Sequence, residues 1–459
     1  MIILLFFLSF SLFASSLDFL LDSDKLTHEK LIFQNKITQK ASLADVAISN
    51  TLRDSILNDK QNLVKDDFII PEYFKSNVYF WFSVYTQYYT HQIIIHDKSN
   101  LDLVYKAVDY SHLKALTSNN FLRFKTQNDL VMDEVVEVKK ILMKFAEGKE
   151  ADSEFEKGIY RKITALNSIP KNKEKKREFF KDLALNIRTQ TGQRDVIFQG
   201  ISNSLPYLAF FDAYFKVFEL PKEMLAVSFL ESSFNPRARS RVNAVGAWQI
   251  MPVIAQKLMP YSKGNIDTRY NPVISSLAAF HLLKENFSIL NRWDLAVTAY
   301  NSGTKHLLRA KRLLGSRYEH SLENIFIHYE NDHHGFASKN FYSEFLALVH
   351  VLAYKEVIFS LQEMPEYKSR KKTNDIALYV TKCNLIPDDF IAKFSSKSKE
   401  IEDLNTHFLK QKKRYGPGQL VVSTAPLPEG MYYQLNDQQL RRKWPINWKN
   451  FATNSKCIK

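Results

Sequence analysis

Between about residues 201 and 357 the apolar runs are bracketed by residues that start and stop helices, and this punctuation narrows the fold more than any other feature of the chain. In "ELPKEMLAVSFLESSFNP" Pro221 falls where the first residue of a helix is expected. Met224, Val227 and Glu231 follow on one helical row, and Asn235-Pro236 ends the run. "YNPVISSLAAFHLLKENF" repeats the device, with Asn271 as cap and Pro272 at the first helical position, and "WDLAVTAYNSG" has Asp294 as cap and Gly303 as a left-handed stop. Helices with such tight polar joints predict a compact helical domain over 201–357. The residue supply agrees: 34 Phe and 22 Tyr against 12 Gly in 459 residues favour helical packing over a turn-rich sandwich or barrel, so the chain reads as mainly α.

The flanks differ. From residue 17 to about 200 the pattern is helical with lysine-rich joints; in "VMDEVVEVKKILMKFAEG" a face runs through Val131, Val135, Val138, Ile141, Leu142 and Phe145 to a stop at Gly148. The block "YFWFSVYTQYYTHQIIIHD" reads as a packing surface, with a sugar-stacking platform as the sharper alternative, and "PKNKEKKREFFKD" reads as a solvated connector. Over 371–459 a Gly416-Pro417-Gly418 turn leads into a short strand at Leu420, Val421 and Val422, which predicts a small α+β module. Residues 1–16 are apolar, uncharged and end in small residues, as in a secretory signal; the run is either cut after Ser16 or kept as an anchor. Export makes a disulfide between Cys383 and Cys457 and a pair of free thiols equally open. The net charge of +14 suits an anionic partner such as cell wall, phospholipid headgroups or nucleic acid, without choosing among them.

One segment carries an argument for chemistry. Glu231 lies on an apolar row near the C-terminal end of its helix, so desolvation and the helix dipole both favour its protonated form, as a general acid working near neutral pH requires. After it come Ser240, Asn243, Gly246 and Gln249, small or polar groups able to bond a substrate or let a ring approach, with Trp248 and Met251 as apolar faces for a sugar; Tyr300 and Asn301 end a later helix. No other acid follows Glu231 in "ESSFNPRARSRVNAVGAWQIMP". Asp332-His333-His334 reads as a polar loop rather than a metal site, Ser232 lacks the strained elbow of a serine hydrolase, and no glycine-rich phosphate loop is present, so neither metal nor cofactor is expected.

Glu231-Ser232, the Ser240-x-x-Asn243-Ala244-x-Gly246-x-x-Gln249 pattern and Ala299-Tyr300-Asn301-Ser302-Gly303 resemble the three main motifs of the lytic transglycosylases with a goose-lysozyme-like (SLT) domain, and most of all the membrane-bound lytic murein transglycosylase D branch. "GAWQ" stands where many members have "GLMQ", and "FASKNFYSEFLAL" puts Phe341, with Tyr342 beside it, where a Tyr is often found. The resemblance implies a lysozyme-like α (α+β) catalytic domain over 201–357, preceded by a helical region and followed by a module with a faint likeness to the wall-binding LysM repeat. It implies cleavage of peptidoglycan strands between N-acetylmuramic acid and N-acetylglucosamine, leaving 1,6-anhydro ends, with Glu231 as sole acid/base. Ser240, Gly246, Gln249, Tyr300 and Asn301 would bind the saccharide or support the acid, and no cofactor or nucleic acid would take part. The place of work would be the periplasm or cell envelope, with or without membrane association. Two alternatives stay open: a lysozyme-type hydrolase using Asp267 or Asp294 as second carboxylate, and an inactive wall-binding scaffold.

Overall fold

The computed structural model of the chain describes residues 41–42, 48–259, 266–329, 336–359, 376–408 and 414–441. The N-terminal apolar run, the Asp332-His333-His334 triplet and Cys457 lie outside them; Cys383 is buried and disulfide-bonded. The contacts divide the described residues into two compact units, one of 41–60 and Ile70–Val196, the other of Gln61–Ile69 and the described residues from Ile197 onward.

The first unit holds β1 (Ala41–Ser42), α1 (Asn50–Leu57), α2 (Lys75–Thr86), β2 (Gln92–Asp97), β3 (Val104–Asp109), α3 (Asn120–Ala146), α4 (Glu154–Leu166), α5 (Lys173–Leu185) and β4 (Ile187–Thr191). Where periodicity predicts helix throughout, the structure has an antiparallel sheet in the order β1-β3-β2-β4, with Ile94 opposite Ala107 on one side and Gln190 on the other. Every residue of the central strand β2 is buried, so its sequence shows none of the alternation that marks a half-exposed strand. The "PKNKEKKREFFKD" segment is likewise not a connector. Asn172 caps α5 by accepting from the N–H groups of Glu174 and Lys175, and the helix buries Phe180, Leu183 and Ala184 in a core shared with Val138, Leu142 and Phe145 of α3. The rings of the aromatic block, Phe80, Trp81, Phe82 and Tyr85, are core.

The second unit, in its helical part, contains α6 (Arg194–Ser204, entering from the first unit), α7 (Leu208–Phe218), α8 (Leu225–Ser232), α9 (Pro252–Leu258), α10 (Pro272–Leu290), α11 (Trp293–Ser302), α12 (Thr304–Leu314), α13 (Leu322–His328) and α14 (Phe336–Ala353). Its axis is α10, capped by Asn271 through bonds from Val273 N at 2.9 Å and Ile274 N at 3.0 Å, and buried almost all round. The chain's aromatic wealth gathers here: Phe280 meets Phe211, Phe215, Phe218 and Trp248. Two caps fall elsewhere than the sequence places them. Pro221 precedes a 3-10 turn over Lys222–Met224, so α8 begins only at Leu225. Arg292 takes the cap position of α11, while Asp294, inside the first turn, pairs with Arg292 and accepts from Leu322 N at 2.9 Å.

The same unit includes β5 (Ala377–Thr381), α15 (Pro387–Ala392), α16 (Ser398–Leu404), β6 (Leu420–Ser423) and β7 (Tyr432–Gln434), with an antiparallel sheet ordered β6-β5-β7. This segment docks at the start of α10: Asn271 Nδ2 donates to Leu404 O at 2.8 Å, Thr406 Oγ1 to Tyr270 O at 2.7 Å, and Tyr207 Oη to Asp403 O at 2.6 Å. No helix among the described residues is long and apolar enough to cross a membrane.

Candidate active site

The end of α8 makes the site. Ser233 and Phe234 both take positive φ, 50° and 53°, so the helix stops within two residues and the chain turns back. Phe234 anchors the turn by packing against Phe211, Phe229 and Tyr207, and α6 approaches so closely that a Cβ on Gly200 would lie 2.2 Å from Ser233 O. Glu231 therefore sits on the last turn of a helix whose row, Met224 and Val227, is fully buried; Glu231 is itself 7% exposed. Its carboxyl makes no hydrogen bond with the described residues. Burial, and after it the negative charge of Glu344, push its pKa from 4.5 up to about 8.

The loop after α8 is held rigidly. Ser232 Oγ donates to Ala247 O at 2.9 Å and accepts from Asn235 N at 3.0 Å, stapling the helix end to the segment that bears Gln249. Arg269, 1% exposed, clamps the same segment from beneath. Its Nη1 donates to Asn243 O at 2.8 Å and Ile250 O at 3.0 Å, and its Nε and Nη2 hold Asp267 bidentately. Gly246, at φ 81°, passes over the Arg269 backbone so tightly that a Cβ would meet Arg269 O at 2.0 Å, so the glycine serves the packing of the loop. Ser240 Oγ accepts from Ala244 N at 2.9 Å and braces the turn. Trp248, read from the sequence as a sugar face, is wholly buried against Phe211 and Phe280, whereas Met251 is only half-buried. Gln249 has φ 45°; its Nε2 donates to Gly246 O at 2.9 Å, which leaves Oε1 a buried acceptor without a partner.

Tyr300, on α11, comes from the far side. Its hydroxyl donates to Trp248 O at 2.8 Å, and burial together with the nearby Glu231 carboxyl drives its pKa well up. Its proton is committed to Trp248 O, and the phenol lies close enough to Glu231 to feel that carboxyl's charge. Asn301, one residue on, is half-buried and makes no side-chain hydrogen bond with the described residues. Among the described residues neither Ser240 nor Asn301 makes a side-chain hydrogen bond to Glu231; Tyr300, bonded to Trp248 O, is the part of the pattern that feels the acid's charge.

The carboxylates behave otherwise than the sequence suggests. Asp267 is occupied by Arg269 and Asp294 by Arg292, whereas Glu344 of α14 is the charge that acts on Glu231. Tyr342 is buried and stacked on Phe345, in the field of Asp294, Arg292 and Asp67.

Residues 213–322, which include Glu231, Ser240, Gly246, Gln249, Tyr300 and Asn301, match the transglycosylase SLT domain. The chain carries an SLT domain. Its match stops short of Glu344. Over 106 residues, 23% of the chain, it is 33% identical to the membrane-bound lytic murein transglycosylase D of Escherichia coli (strain K12), and the aligned SLT region spans only 24% of that protein. A putative tributyltin chloride resistance protein of Alteromonas sp. (strain M-1) is 30% identical over 106 residues, 23% of this chain and 51% of that one. The chain thus spans about a quarter to a half of the length of these relatives.

Proposed function

We propose that the protein is a peptidoglycan lytic transglycosylase that cleaves the β-1,4 bond between N-acetylmuramic acid and N-acetylglucosamine and leaves 1,6-anhydro ends, with Glu231 the only proton-transferring residue. One observation carries this reading: within the SLT match, a buried carboxyl that makes no hydrogen bond with the described residues has its pKa raised to about 8, by burial first and then by the charge of Glu344. Glu231 gives its proton to the glycosidic oxygen as the C1–O bond breaks. The N-acetyl carbonyl oxygen of the muramoyl residue closes on C1 and takes up the developing positive charge. The 6-hydroxyl oxygen then displaces it at C1, and the Glu231 carboxylate takes the hydroxyl proton, restoring the acid with no water consumed. A two-carboxylate glycosidase needs its second acid as nucleophile or to activate water; here the substrate supplies the nucleophile. Gln249 Oε1 is suited to accept from a substrate N–H or O–H, with Ser240 and Asn301 farther along the saccharide and Gly246 shaping the loop.

The hydrolytic reading has one observation in its favour, the Glu344 carboxylate near the acid. The product separates the two. Purified peptidoglycan digested by the protein and by Glu231→Gln, with sugar ends identified by mass spectrometry, should give anhydro ends with the unaltered protein alone. Reducing ends would establish hydrolysis, and no release by either would leave a wall-binding scaffold. The apolar start of the chain and its +14 charge support export to the cell envelope and an anionic wall polymer as partner. We assign 201–357 as the catalytic domain and 371–459 as a candidate LysM-like wall-binding module, its described part running β5-α15-α16-β6-β7.

A further inference from the structure

The helix α12 follows the end of α11 after a single residue, Gly303, so it starts beside Tyr300 and Asn301. Its inner face, Leu307, Ala310 and Leu314, is buried, and it packs on α10, α11 and α13. At about 100° per residue the opposite face carries Lys305, Arg309 and Arg312 as one row, with Leu308 on one side of it and Leu313 on the other. All three cations are exposed, Leu308 is 39% exposed and Leu313 63%.

Within the protein this row is unbalanced. No acid occurs over 295–318, and the nearest on either side, Asp294 and Glu319, are both held by Arg292. Among the described residues none of Lys305, Arg309 and Arg312 makes an ion pair or a side-chain hydrogen bond, whereas Lys311, off the row, donates to Leu290 O at 3.2 Å. Like charges four and three residues apart repel along a helix, and Lys305 stands in the first turn, where the positive pole of the dipole disfavours a cation. The lysine-rich α5 is built otherwise, with Glu174, Glu178 and Asp182 interleaved among its cations. A row that destabilises the free helix and neutralises nothing around it fits a ligand that brings carboxylates, and the two leucines give that ligand apolar shoulders. Sugar rings would call for flat aromatic faces, and α12 has no Phe, Tyr or Trp.

We propose that the outward face of α12 binds the peptide stems that peptidoglycan strands carry on their muramoyl residues, Lys305, Arg309 and Arg312 taking the stem carboxylates and Leu308 and Leu313 the stem's apolar side chains. The inference rests on the peptidoglycan reading given above. Reach permits it. Four residues lead from Asn301 to Lys305, at most about 14 Å of chain, and Arg312 lies roughly 10 Å farther along the helix. A stem of about five residues extends roughly 17 Å, so stems on muramoyl residues at and beyond the end of α11 come within reach of the row. α12 thereby selects strands that bear stems over bare glycan, and takes no part in the proton transfers at Glu231.

The test is the affinity of the full chain for two soluble strands of equal length, one with its stems and one stripped of them by an amidase, measured in Glu231→Gln so that neither is cut. The protein should hold the stemmed strand more tightly. That preference, the ratio of the two dissociation constants, should fall roughly eightfold in Lys305→Gln/Arg309→Gln/Arg312→Gln, about a factor of two for each exposed ion pair. It should return in Lys305→Arg/Arg309→Lys/Arg312→Lys, and with the row intact it should shrink as salt is added. The proposal is overturned by a protein with no preference at low salt, by a preference indifferent to salt, or by one that the folded glutamine variant keeps. Equal losses in the glutamine and charge-preserving variants also overturn it, because charge is then not what binds. If the triple variant does not fold, the single Arg309→Gln, expected to lose about twofold, and the salt dependence decide. Phosphatidylglycerol vesicles bound by the parent and not by the glutamine variant, with the stem preference unmoved, would assign the row to a lipid surface instead. Sugar ends released from stemmed strands by the unaltered protein test Glu231 separately: no release, with the preference for stems intact, overturns the role of the acid and leaves that of α12.

Discussion

Glu231 keeps its proton in the folded chain up to about pH 8, whereas the same side chain exposed by unfolding ionises near 4.5. Between those values the folded state binds more protons than the unfolded one, so the stability this group contributes is present at acid pH and falls as pH rises through the interval. Glu231→Gln, which stays neutral, should therefore be more stable than the parent. At about 1.4 kcal/mol per pH unit the difference should grow from nothing near pH 4.5 to on the order of 3–5 kcal/mol at pH 8. Thermal unfolding of both proteins across that range reads it directly; parallel curves would show that the acid is not held neutral. The placement of Glu231 on a buried row was legible in the sequence, because Met224, Val227 and Glu231 share a helical face whatever the rest of the chain does. Glu344 was not, because its approach to Glu231 depends on the packing of α14 against α8, and no local pattern encodes a contact between segments so far apart. Its one local signal is a single acid in the run "NFYSEFLALVHV". Gly246 is similar: its spacing fits a motif, yet what demands glycine is the backbone of Arg269, a later segment.

At the scale of elements, the site depends on how the end of α8 is joined to the loop over 235–250. Ser232 supplies the joint, giving its proton to Ala247 O and receiving one from Asn235 N. Ser232→Ala takes the hydroxyl donor from Ala247 O, while Asn235 N keeps its second acceptor, Ser232 O at 3.2 Å, so the change should cost about 1–2 kcal/mol. It should also lower cleavage beyond what the stability loss explains, because the loop carries both Gln249 and the carbonyl that orients Tyr300. Chemical denaturation and rates measured well below the melting point separate the two effects; unchanged activity in a destabilised variant would show that the joint matters only to folding. Elements with their own start and stop residues, such as α10 with Asn271-Pro272, were readable one at a time. Those defined by their neighbours were not. β2 is buried on both faces and shows no alternation, and α5 hides a three-residue apolar face in a run of charges.

Across the second unit as a whole, pH acts in two opposite senses, and the acid side is carried by His407. This residue, buried where the C-terminal segment docks, lies with Nδ1 2.9 Å from Asn271 Nδ2 and Nε2 3.0 Å from Leu420 O. The bonding is satisfied when Nε2 carries the proton and Nδ1 accepts from the amide that also bonds Leu404 O. Adding a second proton would set donor against donor, and burial, the largest cause, already lowers the pKa from 6.5 to about 4. A lowered histidine stabilises the fold above 6.5, and that stability is lost as pH falls toward 4, the reverse of Glu231. The fall from 6.5 to about 4 is worth roughly 3 kcal/mol at about 1.4 kcal/mol per pH unit. His407→Gln removes the titrating group while keeping a side-chain acceptor and donor. Its absolute stability should drop because the ring's packing is lost, but the slope of stability against pH between 6.5 and 4 should flatten by about that amount. The slope, taken from urea unfolding at a series of pH values, is the measurement that counts, since loss of packing alone shifts the curve without changing its tilt. His96, likewise lowered to about 4 by burial, and Glu231, which tilts the curve the other way above pH 4.5, both remain in the variant, so it is the difference in slope between variant and parent that reports His407. A variant curve parallel to the parent's would show that His407 does not couple proton uptake to the docking of the C-terminal segment.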